Sequence, residues 1–218
     1  MPKTSKEKKA TSAAKAPDVV HQFLIVLTGT DPLVWRRIQV PRTYSFWDLH
    51  VAIQDAMGWE DRHLHEFRLL DARDRPISIG VPTDMNDAVR PVTPGWKIPL
   101  AEIFESRSLP ALPVSYAYDF GDDWSHVLVH EAIEPAKASL KYPRCLAGAR
   151  RCPPEDCGGA HGYQEFLKVI ANRKHPEHAS MLKWVGGAFD PNDFSPARVA
   201  FDDPQKRWTT AFRPSGRG

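Results

Sequence analysis

The sequence predicts an α+β fold: a single domain in which an antiparallel sheet built from hairpins packs against several helices. Three observations point to it. Two strand pairs are joined by short turns rather than by helical crossovers, and one amphipathic segment carries complete helix-start and helix-stop signals. Residues 18–205 contain neither an internal repeat nor a clean linker.

The first hairpin is Val19 to Leu27 and Val34 to Val40, separated by Thr28-Gly29-Thr30-Asp31-Pro32. In its second strand Val34, Arg36, Ile38 and Val40 share one face and Trp35, Arg37 and Gln39 the other, so neither face is wholly apolar. A helix follows, with Phe46, Leu49, Ile53 and Met57 at helical spacing. Ser45 and Asp48 form its capping box and Gly58 ends it. The segment from His63 to Leu70 predicts a strand, broken at Asp71 to Pro76. Residues 76–99, with five prolines, read as an irregular excursion before a short helix from Leu100 to Glu105. The central hairpin has the strongest strand signal. Ser115 to Phe120 sets Tyr116, Tyr118 and Phe120 on one face, Gly121-Asp122-Asp123 turns the chain, and Trp124 to Ile133 alternates on the way back. Residues 141–162 read as a long Pro/Gly/Cys loop, and helices follow over Gly162 to Arg173 and Glu177 to Val185.

The chain has 218 residues, enough for one domain that folds without disulfides. Its longest apolar run, Phe23 to Leu27, is far too short for a membrane span or a signal-peptide core. Three clustered cysteines argue against a secreted disulfide framework, so the expectation is a cytoplasmic protein without a membrane partner. The net charge of +2 is unevenly placed. Residues 1–17 carry +4 and read as a disordered basic tail, and residues 206–218 carry another +4 as a basic C-terminal tail. Taking both from +2 leaves −6 for residues 18–205. Nonspecific nucleic-acid attraction is therefore expected of the tails, while the folded part suits cations or basic partners.

Three constellations bear on chemistry. The first is the central hairpin, where residues 119–134 hold five acids and no Lys or Arg. Asp119, Asp122, Asp123 and His126, joined by His63 or His65, have the donor types of a divalent-metal site for hydrolytic chemistry. Asp and Gly are equally the ordinary residues of a turn, and that reading explains their spacing unaided. The second is the set of strand histidines: His63 and His65 on one face, His126 and His130 on another, whose meeting the sequence does not decide. The third is Cys145, Cys152, Cys157 and His161, four soft ligands in one loop that suit zinc. Arg144, Arg150 and Arg151 beside them point instead to a reactive thiol or an anion-facing patch. Glu155 and Asp156, ahead of Gly158-Gly159, read as local caps. There is no Gly-x-Ser-x-Gly elbow, His-Glu-x-x-His, Walker loop or dinucleotide glycine fingerprint.

Taken together, Val34-Trp35-Arg36-Arg37-Ile38-Gln39-Val40-Pro41, Ala56-Met57-Gly58-Trp59, His63-Leu64-His65-Glu66-Phe67, Tyr116-Ala117-Tyr118-Asp119-Phe120-Gly121-Asp122-Asp123-Trp124-Ser125-His126 and Cys152-Pro153-Pro154-Glu155-Asp156-Cys157-Gly158-Gly159 resemble the plasmid pRiA4b ORF-3-like family. The resemblance implies an α+β domain of a bacterial or archaeal cytoplasmic protein associated with plasmids and transposons, some members being passengers of insertion elements. It implies no particular activity. Two functions follow as expectations: a binding or accessory module that uses the aromatic and acidic cleft, or a metal-assisted hydrolase built on the Asp/His hairpin.

Overall fold

A computed structural model describes residues 18–71, 73–83, 91–105 and 113–212. The tail over residues 1–17 lies outside the described residues.

Within the described residues eight strands form one mixed sheet: β1 (Val19–Leu27), β2 (Val34–Pro41), β3 (His65–Leu70), β4 (Pro76–Gly80), β5 (Val92–Pro94), β6 (Val114–Tyr118), β7 (Trp124–Pro135) and β8 (Arg144–Ala149). Their spatial order is β5-β4-β3-β6-β7-β1-β2-β8, and every neighbouring pair is antiparallel except β4 with β5. Among the described residues five helices accompany the sheet: α1 (Phe46–Met57), α2 (Leu100–Phe104), α3 (Gly159–Ala171), α4 (His178–Trp184) and α5 (Pro204–Ala211). The α+β class and single domain therefore match the sequence reading.

The core lies on one face of the sheet. Phe23, Ile25, Ile38, Phe67, Tyr116, Tyr118 and Leu128 meet Phe46, Leu49 and Ile53 of α1, and all are sealed from solvent. The opposite face carries a polar ladder in which Arg37 grips Glu131 at 2.7 and 2.8 Å and Gln22 and Gln39 bond each other, as suits an antiparallel sheet covered on one side. Helix α1 begins on the expected capping box, with the Ser45 N–H donating to Asp48 at 2.8 Å, and ends on Gly58 at φ 91°.

Several elements differ from the sequence reading. The prolines of residues 76–99 conceal β4 and β5, both short and together forming the sheet's end, where a missing N–H is tolerated. The supposed loop at 141–162 contains β8, paired with β2, and α3 begins at Gly159. The strand expected from His63 starts at His65, leaving His63 on the preceding loop. Phe120 leaves the Tyr116–Tyr118 row and is 46% exposed, because Asp119 at φ 56° breaks the alternation. The boundary drawn at 205 from charge falls inside α5. Trp208 packs edge-on to Trp47 and Trp96, with ring centroids 5.3 and 4.5 Å apart, so aromatic burial docks a segment whose charges read as a tail. None of the described helices is long and apolar enough to cross a membrane.

Candidate functional site

The site forms where the β6–β7 turn, the loop after α1 and the Pro-Pro-Glu-Asp loop meet. In the turn, Asp119 and Asp123 both adopt left-handed backbone, at φ 56° and 52°. Asp tolerates this conformation because its short carboxylate bonds locally. Asp119 Oδ1 accepts the N–H groups of Gly121 (2.9 Å) and Asp122 (3.3 Å), which leaves Oδ2 for a different partner. Asp122 accepts the Gly158 N–H at 3.0 Å. A Cβ on Gly159 would stand 2.3 Å from the Asp122 carbonyl oxygen, so glycine is what lets the start of α3 lie against the turn.

The docked loop is held from the other side by the segment that follows α1. Trp59 Nε1–H donates to the Pro153 carbonyl at 3.0 Å and the Glu60 N–H to Glu155 Oε1 at 2.8 Å. The Tyr118 hydroxyl donates to the Glu155 carboxylate at 3.1 and 3.2 Å. Burial, and then the charge of Glu155, raise the Tyr118 pKa far above the ordinary phenol range, so this proton stays in place.

His63 stands at the centre. Its Nε2 lies 3.0 Å from Asp156 Oδ1, 3.4 Å from Asp119 Oδ2 and 3.8 Å from Glu155 Oε2. Ligand atoms of His63, Asp119 and Asp156 all lie within 4.8 Å of one another. The site is graded in exposure: the Asp119 side chain is 10% accessible, His63 30% and Asp156 56%. One imidazole and two carboxylates on a solvent-facing rim are a donor set for a divalent ion of borderline hardness.

The remaining sequence candidates are placed elsewhere. His65 points into the core, stacked on His50 with ring centroids 3.4 Å apart at 10°. His126 is buried beneath Trp59, its Nδ1 3.3 Å from the Tyr116 carbonyl oxygen. Burial lowers the pKa of both, His126 to about 4. Asp123 accepts the Ser125 hydroxyl at 3.3 Å and Asp122 is the docking acceptor, so both serve the turn. Of the hairpin set, the fold brings together His63 and Asp119. It adds Asp156 and Glu155, which the sequence reading left as caps; the signal was the Pro-Pro-Glu-Asp block carrying the same resemblance as the hairpin.

Cys145, Cys152, Cys157 and His161 are not gathered: no three of them bring ligand atoms within 4.8 Å among the described residues. Cys145 lies on β8, Cys152 is buried in the core and His161 is exposed on α3. Burial raises all three thiol pKa values, Cys157 to about 12, outweighing the nearby arginine that pulls Cys145 and Cys152 the other way. The arginine that acts on Cys145 and Cys152 is Arg36 of β2, and burial outweighs it.

The family model for the plasmid pRiA4b ORF-3-like protein matches residues 19–198, which span the sheet, the hairpin turn and the Pro-Pro-Glu-Asp loop. The chain belongs to this family. Its relatives include the uncharacterized protein y4hQ of Sinorhizobium fredii (strain NBRC 101917 / NGR234), 35% identical over 197 residues that cover 89% of this chain and 96% of the relative. Among solved structures, the protein of unknown function MM3350 from Methanosarcina mazei Go1 is 38% identical, with a TM-score of 0.77 over 85% of this chain and 100% of that one. The family match stops before α5, so the docking of Trp208 onto Trp47 lies beyond the matched residues.

Proposed function

We propose that this family member is a binding module whose acidic rim takes up a divalent cation, with His63, Asp119 and Asp156 as ligands and Glu155 on their flank. The observation that carries the reading is the convergence of three ligand atoms within 4.8 Å from three separate loops. The orientation of the donors supports it. Asp119 Oδ1 is committed to turn amides while Oδ2 faces His63, and Glu155 is held by Tyr118 and Glu60, an outer layer of the kind that orients metal ligands. The ligand set suits Zn²⁺ or Mn²⁺.

Calorimetric titration of chelator-treated protein with Zn²⁺ and with Mn²⁺ tests the proposal. One site per chain is expected, weakened roughly tenfold or more by His63→Ala and by Asp156→Asn. Binding that neither substitution changes, or no saturable binding, overturns it.

A second reading, a metal-assisted hydrolase, is favoured by the exposure of Asp156 and His63, which opens the rim to water and substrate. Turnover of phosphate-ester or amide substrates by Zn²⁺- or Mn²⁺-loaded protein, abolished by Asp119→Asn, would select it over simple binding. The mobile-element association and cytoplasmic setting belong to the proposal through family membership. Nonspecific nucleic-acid attraction through the tails is also proposed, with a smaller share from the C-terminal segment because Arg207 is engaged by Asp55 and Asp202. Deleting residues 1–17 is expected to remove salt-sensitive DNA binding.

A further inference from the structure

Among the described residues, no carboxylate pairs with the buried arginine of β2. Arg36 sits on the core face of the strand and is 1% exposed. Its Nε donates to the Ala56 carbonyl at 2.8 Å, and Nη1 donates to the carbonyls of Trp35 (2.8 Å) and Ala149 (2.9 Å). Ala56 lies in the last turn of α1, where the helix dipole is negative, so the first of these bonds explains the side chain's course. All three partners are neutral, and among the described residues no carboxylate bonds Arg36 and Nη2 has no hydrogen-bond partner. One face of the guanidinium is covered by Phe194, whose ring centre lies 3.7 Å from Cζ. Gly148 makes room for that ring, since a Cβ there would stand 2.5 Å from Phe194 Cε1.

Arg36 lines a cleft of about 470 Å³ between the end of α1 and the segment around Phe194. Arg151, Arg198, Asp55 and Asp193 also line it. Arg198 is taken up by Asp193 and Asp55 by Arg207, which leaves Arg36 and Arg151 as cations without an acidic hydrogen-bond partner among the described residues. Arg151 spends itself on the Phe189 ring, 4.5 Å from Cζ, and on the Ala188 carbonyl at 3.4 Å. Two arginines that no carboxylate hydrogen-bonds among the described residues thus line one cleft, Arg151 within the electrostatic reach of Asp193, in a body whose net charge is −6 after the basic ends are set aside. Guanidinium groups match planar or tetrahedral oxyanions. The cleft is much larger than a bare inorganic anion requires and falls in the range of small-molecule sites, with Met57, Phe194 and Val199 as apolar wall.

We propose that this cleft binds a small organic oxyanion, a carboxylate or phosphate monoester with an apolar portion, whose charged end is received by Arg36 and Arg151. The site is separate from the cation rim, but the same loop serves both: Arg151 stands four residues before Glu155.

Titration of the full chain with benzoate, phenyl phosphate and inorganic phosphate, at constant ionic strength in chloride, tests the proposal. At least one of the two aromatic probes is expected to bind saturably at one site and more tightly than inorganic phosphate; which one does so identifies the headgroup. Arg151→Ala is expected to weaken binding roughly tenfold. Arg36→Lys, which keeps the charge and loses the fork, is expected to weaken it similarly with an unchanged circular dichroism spectrum. Should Arg36→Lys fail to fold, Arg151→Ala decides. No saturable binding of either aromatic probe, or affinity unchanged in Arg151→Ala, overturns the proposal. His63→Ala is expected to leave oxyanion affinity unaltered, so failure here and failure of the cation site are told apart.

Discussion

His63 and His65 are two residues apart and occupy opposite environments. His63 stands on a loop rim beside three carboxylates, with 30% of its side chain open to solvent. His65 is sealed under α1, stacked on His50, and burial holds its pKa well below the ordinary histidine range. The contrast extends along the sheet. His126 and His130 alternate with Trp124 and Leu128 on the buried side of β7, and His130 Nε2 meets His21 Nδ1 at 3.0 Å. In the core, imidazoles replace phenyl rings as packing units: His21 pairs with His130, His50 with the Tyr116 hydroxyl, and His65 stacks on His50. Position relative to the core, rather than residue type, separates the proposed ligand His63 from the building block His65.

The largest test of that contrast is acid. Burial lowers the folded-state pKa of His65, His126 and His130, the last two to about 4, whereas unfolded histidines titrate near 6.5. Below pH 6.5 the unfolded chain therefore binds protons that the fold refuses. The stabilisation is present in full above pH 6.5 and is lost as pH falls toward 4, by about 1.4 kcal/mol per pH unit for each such histidine. Urea midpoints at pH 7.5, 6 and 5 measure it, and His126→Leu should flatten the slope. A profile level across this range would remove the distinction between core and rim.

A smaller effect probes the hydrogen bonds that make buried histidine tolerable. The Tyr116 hydroxyl accepts from Gln54 Nε2 at 3.0 Å and lies 2.8 Å from His50 Nδ1, whose other nitrogen is 2.7 Å from Asp61 Oδ1. This network assigns the His50 proton to Nε2. Tyr116→Phe strands two buried polar groups and is expected to cost about 1–3 kcal/mol in equilibrium unfolding. At the rim, Asp119→Ala loses two turn hydrogen bonds and puts alanine in left-handed backbone, for about 1–2 kcal/mol. Asp119→Asn retains the Oδ1 acceptor and should recover most of that stability without recovering cation affinity. His63→Ala is expected to change stability by less than about 0.5 kcal/mol, the ordinary range for a surface site, while weakening cation uptake roughly tenfold or more. A loss comparable to that of Tyr116→Phe would make His63 a structural residue.

What the sequence by itself determined was local. The capping box at Ser45 and Asp48, the alternation of β7 and the turn residues of its hairpin act over a few residues, and the α+β class follows from them. The Tyr-Asp-Phe-Gly-Asp and Pro-Pro-Glu-Asp blocks were also visible as separate segments. Tertiary structure decided which of their groups meet. Strand periodicity put His63 and His65 on one face, but β3 begins only at His65, and pairing with β6 rather than spacing sets that start. Glu155 and Asp156 join His63 because Trp59, Glu60 and Asp122 hold a loop 93 residues farther along the chain, contacts without a local sequence signature. The fate of Arg36 was likewise a packing outcome: β8, hidden in an apparent loop, supplies the Ala149 carbonyl beside it, and Phe194 covers its face. Short-range patterns report the conformations that the chain prefers, whereas a binding site depends on which distant surfaces exclude water from one another.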